Sequence, residues 1–388
     1  MNKHMHGQMS PIVNLTPDQV RMLRTSGQFL HTPAGRGSLV EVVRSLCGIN
    51  AQMTPSMMLS LRARVGGIDL ADIKRAIGNI RSLVRTWAMR GTLHLVDSNG
   101  IRWFVSILGP FFIAKDRGRR AGLGLTDDML ADALEEIPAV MRDSGPLTRW
   151  ELMDRLKENR VHINEKSQAP IHLIKYAALN GLLFLGPDRE NGESTYVLMD
   201  KWLAKSKRAS GARGLAALAK RYLGGYGPAS IADFAAWSGV TLTDARKAWR
   251  LFQDENPLTE GQVEGQRLWL LQSQVEAAGR PVRSRPVVRL LPAFDTYVTG
   301  YANRDFVVSR ERYREVYHGG QTVPVVLVDG YASGVWRYER ERNRLAITVQ
   351  AFGSFDKTVW NLVSEEAEDI GRFFGTPVSL HINPRTYK

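Results

Sequence analysis

The sequence predicts an α+β protein in which three helix-helix-hairpin units are followed by a last quarter rich in β-strands. Two observations support this class. Side chains that cap helix N-termini precede apolar-periodic segments three times before residue 280, and each series ends in two strand-like runs. From Pro286 onward, short strand-like runs dominate. The length of 388 residues agrees with several domains, at about 100–200 residues each.

The first unit is predicted at residues 12–118. Three helices begin at helix-start signals, which are Thr16-Pro17, the capping box at residues 38–41 and Thr54-Pro55. We expect the second helix to end at Gly48, because glycine favours the backbone conformation that terminates helices. Two alternating runs, residues 83–87 and 92–96, flank a turn at Arg90-Gly91 and therefore predict a β-hairpin.

The second unit is predicted at residues 119–205 and repeats this order of elements. A capping box at Thr148 begins one helix, and a second helix extends from about Ala169 to Asn180. Residues 182–185 and 196–199 then predict the next hairpin. The copies share an order of elements and not a sequence, which indicates tandem domains rather than a solenoid.

The third unit and the final domain follow. The third unit, residues 206–282, begins helices at Ser230 and Thr241 and has a weaker hairpin around Gly265. Residues 283–388 predict a β-rich domain with a closing helix. Its strand-like runs are residues 287–291, 324–328, 334–338 and 345–349, and its helix lies near residues 363–374.

The net charge favours a polyanionic partner. The 52 Lys and Arg residues exceed the 39 Asp and Glu residues, which gives +13 and an isoelectric point of about 9.9. Such an excess points to nucleic acid more often than to a membrane surface, although a general Arg bias of the organism's proteins is an alternative explanation. Cys47 is the single cysteine, which excludes disulfides. Without a long apolar run, we expect no membrane span and a cytoplasmic, nucleoid-associated location.

Two helices followed by a hairpin are the elements of a winged helix, which places its second helix in the DNA major groove and its hairpin on the backbone. Each basic cluster alone is better explained by a solvated surface, but three clusters, the repeated order of elements and the net charge of +13 together favour double-stranded DNA. A monomer is expected, since tandem units need no partner. The clusters are Lys115/Arg117/Arg119/Arg120, Lys201/Lys205/Lys207/Arg208/Arg213 and Arg280/Arg283/Arg285/Arg289.

The linker between the second and third helices carries two carboxamides, Asn50 and Gln52. In an extended linker, alternate side chains point the same way, so the two amides would face one site. The purely structural interpretation is that both satisfy backbone groups between helices, as such side chains often do. Spacing alone favours the structural interpretation.

Several segments resemble the winged-helix DNA glycosylases of the AlkZ/AlkX type. The similarity spans nearly the whole chain past residue 14, and the stretches RGTLH at residues 90–94 and LLPAFD at residues 290–295 are its most specific parts. It implies winged helices and a β domain around a basic groove, and an enzyme that removes alkylated purines from DNA. No metal or organic cofactor is implied.

The resemblance also implies site residues. The family signature is Gln-x-Gln, or Gln-x-Asp in one branch, at the position of Asn50-Ala51-Gln52. Gln52 matches the second position and would hold water and stabilise the sugar cation, and Asn50, one methylene shorter than the family's residue, would assist. Met53 is a candidate wedge against a lesion. The DNA-contact candidates are Arg62, Arg64, Arg85, Arg90, His94, Lys115, Arg117, Arg119 and Arg120.

Two functions remain open at this stage. The first is a monofunctional DNA glycosylase for cationic alkylated purines in duplex DNA. The alternative is a non-catalytic winged-helix DNA-binding protein or transcriptional regulator, which the replacement of the first glutamine by Asn50 favours. A lesion-binding protein without hydrolysis is a weaker third possibility.

Overall fold

The N-terminal part of the computed structural model has its helices and strands close to their predicted positions. The structure describes residues 12–158, 161–204, 211–279 and 285–383. The first helix begins as predicted, because the Thr16 hydroxyl accepts a hydrogen bond from the backbone N–H of Gln19 at 3.2 Å. The elements are β1 (Val13–Asn14), α1 (Pro17–Gly27), α2 (Leu39–Ser45), β2 (Ile49–Asn50), α3 (Thr54–Arg62), α4 (Leu70–Gly78), β3 (Leu83–Trp87) and β4 (Leu93–Asp97).

The predicted capping box at Ser38 is wrong. The Ser38 side chain makes no capping hydrogen bond, and the residue ends a short 3-10 turn, Arg36–Ser38. Helix α2 also ends earlier than Gly48, because the chain leaves the helical conformation at Cys47, where φ is +57°. Gly48 follows with φ of +112° and leads directly into β2.

Three helices connect the first hairpin to the second predicted unit, where the elements again follow the predicted order. Helix α6 spans the predicted boundary at residue 118. The capping box at Thr148 is present, with hydrogen bonds of 2.7 and 3.3 Å to Glu151. The elements are α5 (Ile101–Lys115), α6 (Arg117–Gly122), α7 (Asp127–Met141), β5 (Leu147–Thr148), α8 (Arg149–Glu158), α9 (Ala169–Leu179), β6 (Leu183–Leu185), β7 (Thr195–Leu198) and α10 (Met199–Trp202).

The third unit has both capped helices and its hairpin. Ser230 and Thr241 accept hydrogen bonds from the backbone N–H groups of Asp233 and Asp244, each at 3.1 Å. Stacked aromatic rings, including Tyr222, Tyr226 and Trp237, form the core beneath these helices. The elements are α11 (Gly211–Tyr226), α12 (Ile231–Ser238), α13 (Leu242–Glu255), β8 (Thr259–Val263), β9 (Gln266–Leu270) and α14 (Gln272–Ala278).

The C-terminal part is a five-stranded sheet covered by one long helix. The sheet has the order β10-β13-β14-β15-β16, and its last strand, which the sequence did not predict, lies parallel to β15. The elements are β10 (Val288–Leu291), α15 (Thr296–Thr299), α16 (Tyr313–Val316), β11 (Tyr317–His318), β12 (Gln321–Thr322), β13 (Val325–Val328), β14 (Tyr331–Arg340), β15 (Leu345–Ala351), α17 (Lys357–Phe374) and β16 (Val378–Ile382).

Pairing between the units gives an arrangement that the sequence did not predict. The hairpins of the first and second units join into one six-stranded sheet, β2-β4-β3-β6-β7-β5, through the pairing of Arg85 with Leu185. Strand β1 pairs with β8 of the third hairpin. The mixed α+β class is therefore confirmed, whereas the division into three separate winged helices, with boundaries at residues 118, 205 and 282, stays a prediction. Among the described helices, none is long and apolar enough to cross a bilayer.

Candidate active site and DNA-binding surface

The two carboxamides of the β2–α3 linker are hydrogen-bonded to each other. The side-chain nitrogen of Asn50 donates to Oε1 of Gln52 at 3.0 Å, and Oδ1 of Asn50 accepts the backbone N–H of Gln52 at 3.1 Å. Asn50 is 5% exposed, whereas Gln52 is exposed. The two side chains thus lie together, as their spacing predicts. The structural interpretation is also correct in part, since Asn50 satisfies one backbone group.

This arrangement orients the Gln52 side chain and leaves it able to bind a further group. Its carbonyl oxygen has two lone pairs, of which Asn50 uses one. The remaining lone pair and the amide N–H groups of the exposed side chain are available to water or substrate. Met53, the next residue, is 47% exposed, so an apolar side chain stands beside the amide at the surface.

A row of polar side chains lies beneath Asn50. His94 is directly opposite Asn50 on β4, and Thr86 is directly opposite His94 on β3, so all three point to the same face of the sheet. Both His94 and Thr86 are buried, at 1% and 0% exposure. The ring nitrogen Nδ1 of His94 lies 3.0 Å from the backbone carbonyl of Thr92. Since a carbonyl only accepts, Nδ1 carries the proton.

His94 is neutral at physiological pH. Burial, together with the nearby charge of Arg90, lowers the pKa of the imidazole to about 3. With Nδ1 protonated, Nε2 is an acceptor and has no proton to give. His94 was predicted to contact DNA, and its burial places it instead as a support for the Asn50 strand.

Arg90 occupies the tight turn between β3 and β4. Its φ is +58°, a left-handed conformation that is uncommon for a residue with a side chain. Helix α12 packs directly on this turn, since a Cβ on Gly239 would lie 2.6 Å from Cα of Arg90. The Arg90 Nη1 donates to the backbone carbonyl of Trp237 at 3.0 Å, at the C-terminal end of that helix.

Two of the predicted DNA contacts, Arg62 and Arg64, lie in the interior. Arg64 is fully buried and forms a bidentate ion pair with Asp295, with N–O distances of 2.7 and 2.8 Å. Arg62 is 3% exposed and pairs with Glu366 at 2.8 Å and Asp369 at 3.0 Å. Both side chains thus connect the N-terminal helices to the C-terminal part. Their assignment as DNA contacts is corrected, because their N–H groups are taken by internal carboxylates.

Arg85 and Arg120 are corrected for the same reason. Arg85 is 4% exposed, pairs with Asp188 and donates to the Gly186 carbonyl at 3.2 Å. Arg120 is 5% exposed and donates to the carbonyl of Ile113 at 2.8 Å. In each case the guanidinium holds two segments of the chain together.

Three residues of the first basic cluster are at the surface. Lys115 is exposed, Arg117 forms an exposed pair with Asp127 at 3.2 Å, and Arg119 donates to Gln168 at 2.8 Å. Exposed contacts of this kind are weak and are easily exchanged for a phosphate. These three remain candidates for DNA contact.

The other two predicted clusters are only partly described. Lys201 and Arg213 are exposed, and Lys201 donates to the Arg142 carbonyl. Arg285 pairs with Glu365, and Arg289 pairs with Glu366. Both arginine side chains therefore lie against helix α17, which bears the two glutamates. The remaining members lie outside the described residues, namely Lys205, Lys207, Arg208, Arg280 and Arg283.

The sequence analysis missed a basic stripe on helix α13. Arg246, Lys247 and Arg250 are exposed and form no ion pair within the described part of the chain. Residues three and four apart share one face of a helix, so the three cations form one patch. The signal was available, because α13 is the second helix of the third predicted unit. Helix α9, its counterpart in the second unit, is by contrast mostly buried.

In the described ranges, no group of three or more His, Cys, Asp or Glu side chains is arranged to hold a metal ion.

Comparison with known proteins shows to which family this chain is similar. A model of the family described as DNA glycosylase AlkZ-like matches residues 43–373. The chain is 31% identical over 370 residues to an interstrand DNA cross-link repair glycosylase of Streptomyces sahachiroi, covering 92% of this chain and 96% of that protein. It is also similar to the solved structure of Streptomyces sahachiroi DNA glycosylase AlkZ, with a TM-score of 0.80 and 28% identity over 96% of this chain and 100% of that one.

The chain belongs to the AlkZ-like DNA glycosylase family. It is accordingly a DNA glycosylase, a hydrolase that acts on N-glycosyl bonds. This membership favours the enzyme over the non-catalytic DNA-binding protein that the sequence left open.

Proposed function

We propose that this protein is a monofunctional DNA glycosylase that removes bulky or cationic alkylated purines from duplex DNA. The observation that carries the proposal is the exposed Gln52 carboxamide, oriented by the buried Asn50 at 3.0 Å. Within the described residues, no carboxylate hydrogen-bonds to either amide or to His94. The site therefore offers neutral dipoles to its substrate.

Neutral dipoles suit one class of substrate. A purine alkylated at N7 or N3 carries a positive charge, so it leaves without prior protonation, and the sugar develops oxocarbenium character. The carbonyl of Gln52 can align a water molecule and stabilise this cation, since a preorganised dipole acts strongly where water is excluded. A carboxamide does not accept a proton as a carboxylate does. Neutral damaged bases depend on general acid–base catalysis, so we expect them to be poor substrates.

Asn50 acts through Gln52 in this scheme. It is nearly buried, and both of its hydrogen bonds go to Gln52. We therefore assign Asn50 as a positioning residue and Gln52 as the residue that contacts the water and the sugar. The shorter side chain in place of the family's glutamine still reaches its neighbour, so the linker keeps a defined geometry.

The DNA surface is proposed to consist of cations around this linker, of which Arg90 is half-buried and the others are exposed. We keep Arg90, Lys115, Arg117 and Arg119 from the sequence prediction and add the stripe on α13. In this proposal the three units act as tandem winged helices that grip phosphates, followed by the β-rich domain, and the protein works as a monomer in the cytoplasm. The exposure of Gln52 favours bulky lesions, because a site at the surface admits a large adduct.

A relative named for repair of interstrand cross-links suggests how bulky the lesion can be. A purine cross-linked through N7 is cationic and large, so it fits the same requirements. We therefore propose that cross-linked purines are also substrates.

The experiment measures base release in single-turnover conditions from duplexes with one defined lesion. N7-methylguanine is the cationic substrate and hypoxanthine is the neutral one. We expect abasic sites from the first duplex and none above background from the second. Equal release of both bases would contradict the proposed chemistry, because release of the neutral base would require general acid–base catalysis, which the amide site lacks.

A further inference from the structure

Two arginines from distant parts of the chain lie near the same helix, α12. Arg90 donates to the carbonyl of Trp237, near the C-terminal end of this helix. The segment that bears Arg304 is attached one turn earlier, because the backbone N–H groups of Ala302 and Asn303 donate to Asp233, at 2.9 and 3.2 Å. Asp233 and Trp237 are about one helical turn apart, so the two segments are anchored to successive turns of α12.

The Arg304 side chain is held in place by an aromatic ring, and its N–H groups have no partner among the described residues. Its guanidinium stacks over the ring of Tyr317, with Cζ 4.2 Å from the ring centre. Its backbone carbonyl accepts the N–H groups of Val307 and Val308 at 2.8 and 2.9 Å, which fixes the backbone. Among the described residues, the guanidinium has no hydrogen-bond acceptor and no ion-pair partner. A stacked guanidinium keeps its planar edge available, and this edge matches the oxygens of a phosphate.

The charge of Arg90 has no counter-charge bound to it within the described residues. Its guanidinium donates there to the Trp237 carbonyl and forms no ion pair. Burial, and in smaller part the charge of Arg304, lowers the pKa of the Arg90 guanidinium, so its positive charge is poorly stabilised. The C-terminal end of α12 compensates only a fraction of a charge.

No hidden side-chain carboxylate supplies the missing counter-charge. The parts of the chain outside the described ranges are residues 1–11, 159–160, 205–210, 280–284 and 384–388. These segments contain neither Asp nor Glu. Arg90 and Arg304 are therefore open to an anion from outside the chain.

The position of this pair indicates which molecule. Arg90 is near enough to His94 to lower the pKa of that imidazole, and His94 is directly opposite Asn50. The hairpin turn that bears Arg90 therefore lies near the Asn50-Gln52 linker, and α12 links Arg304 to this turn. A bare cation here would oppose the positive charge that develops on the sugar, whereas a cation covered by a phosphate would not.

We propose that Arg90 and Arg304 clamp one backbone phosphate of the DNA strand that carries the damaged nucleotide. The proposal rests on the proposed glycosylase function and adds a residue of the C-terminal part to its DNA-binding surface. The clamp fixes the sugar of that nucleotide relative to Gln52. Arg90 contributes the charge from the hairpin turn, and Arg304 contributes the flat, stacked edge.

The test uses a duplex with a tetrahydrofuran abasic analogue, which the enzyme can bind but not hydrolyse. Arg304→Gln is compared with Arg310→Gln, a matched control because Arg310 is exposed in the same segment and paired with Asp305 at 2.8 Å. We expect Arg304→Gln to weaken binding by about 10-fold and to reduce the slope of log Kd against log salt by about 1. The control should change Kd by less than about 2-fold.

A scan of neutral linkages locates the phosphate. Single methylphosphonates replace each phosphate near the analogue in turn, and binding is measured for both proteins. We expect one position at which the neutral linkage lowers the affinity of the wild type by about 10-fold. The same linkage should not lower the affinity of Arg304→Gln further, because the contact is already absent in that variant. If no position shows this coupling, or if both variants weaken binding equally, the clamp is wrong.

Excision of N7-methylguanine by the wild type is measured in parallel, so the two proposals fail separately. Coupling at one phosphate without excision would support the clamp and contradict the proposed function. Excision without coupling would support the proposed function and contradict the clamp. Thermal melting of each variant confirms that the compared proteins are folded.

Discussion

The side-chain nitrogen of Asn50 donates a hydrogen bond of 3.0 Å to the side-chain oxygen of Gln52, so one nearly buried amide orients one exposed amide. This contact explains how a linker with asparagine in the first position keeps a defined site. The backbone N–H of Gln52 closes the same turn on Oδ1 of Asn50 at 3.1 Å. Both groups that orient Gln52 thus belong to a single side chain.

Removal of that side chain should impair catalysis and leave binding intact. In Asn50→Ala, Gln52 loses its orienting partner, and a displacement near 1 Å costs about 100-fold in a preorganised site. We expect single-turnover excision of N7-methylguanine to fall by about 10- to 100-fold, with an unchanged Kd for the abasic analogue. Asn50→Gln, which restores the family signature, should retain activity. A large loss of affinity in Asn50→Ala would show that Asn50 binds DNA directly.

The burial of His94 should make the protein less stable in acid. The pKa of this imidazole is about 3 in the folded protein and about 6.5 when exposed, so between these values the unfolded chain binds one more proton. The contribution of neutral His94 to the free energy of unfolding is fully present above pH 6.5 and is lost as the pH falls toward 3. At pH 5 the loss is about 2 kcal/mol. Urea unfolding of the wild type and His94→Gln at pH 5 and 7.5 should show a larger pH effect in the wild type, and equal effects would contradict this origin.

The ion pair between Arg64 and Asp295 should affect stability and not DNA binding. In Arg64→Met the Asp295 carboxylate stays buried without its partner, which costs about 3–5 kcal/mol. Arg337→Met is the control, because its pair with Glu339 is exposed and contributes about 0–1 kcal/mol. Urea unfolding measures both. If Arg64→Met unfolds like the wild type but binds DNA more weakly, the original assignment of Arg64 as a DNA contact is correct after all.

The stripe on α13 should set the salt dependence of binding. If Arg246, Lys247 and Arg250 each contact a phosphate, their triple replacement by glutamine should reduce the slope of log Kd against log salt by about 3. Replacement of Arg337, Arg340 and Arg344 on the C-terminal sheet changes the net charge equally and serves as the control. A similar change in slope for both triple variants would mean that net charge, and not the stripe, determines binding.

Local features of the fold could be predicted from the sequence because they depend on near neighbours. The strand Leu83–Trp87 has its predicted bounds, since alternation and the turn at Arg90-Gly91 specify it. The two linker amides also lie together as their spacing predicts, because only one residue separates them. Capping side chains identified the starts of four helices, α1, α8, α12 and α13, for the same reason.

Features that depend on distant partners could not be predicted. Arg64 and Asp295 are separated by 231 residues, and Arg62 lies 304 residues before Glu366, so nothing local distinguished these buried arginines from surface ones. The joining of two hairpins through Arg85 and Leu185 is another long-range pairing. The same holds for Arg304, whose closeness to Arg90 follows from the packing of α12 and from no sequence pattern.

The most direct test of the account is single-turnover cleavage of a duplex with one N7-methylguanine by the wild type and by Gln52→Ala. Alkaline treatment converts each abasic site into a strand break, and Gln272→Ala, an exposed glutamine on α14, is the matched control. We predict breaks from the wild type and the control, and a loss of at least about 100-fold in Gln52→Ala with DNA affinity retained. Undiminished excision by Gln52→Ala would contradict the central claim that this carboxamide carries the reaction.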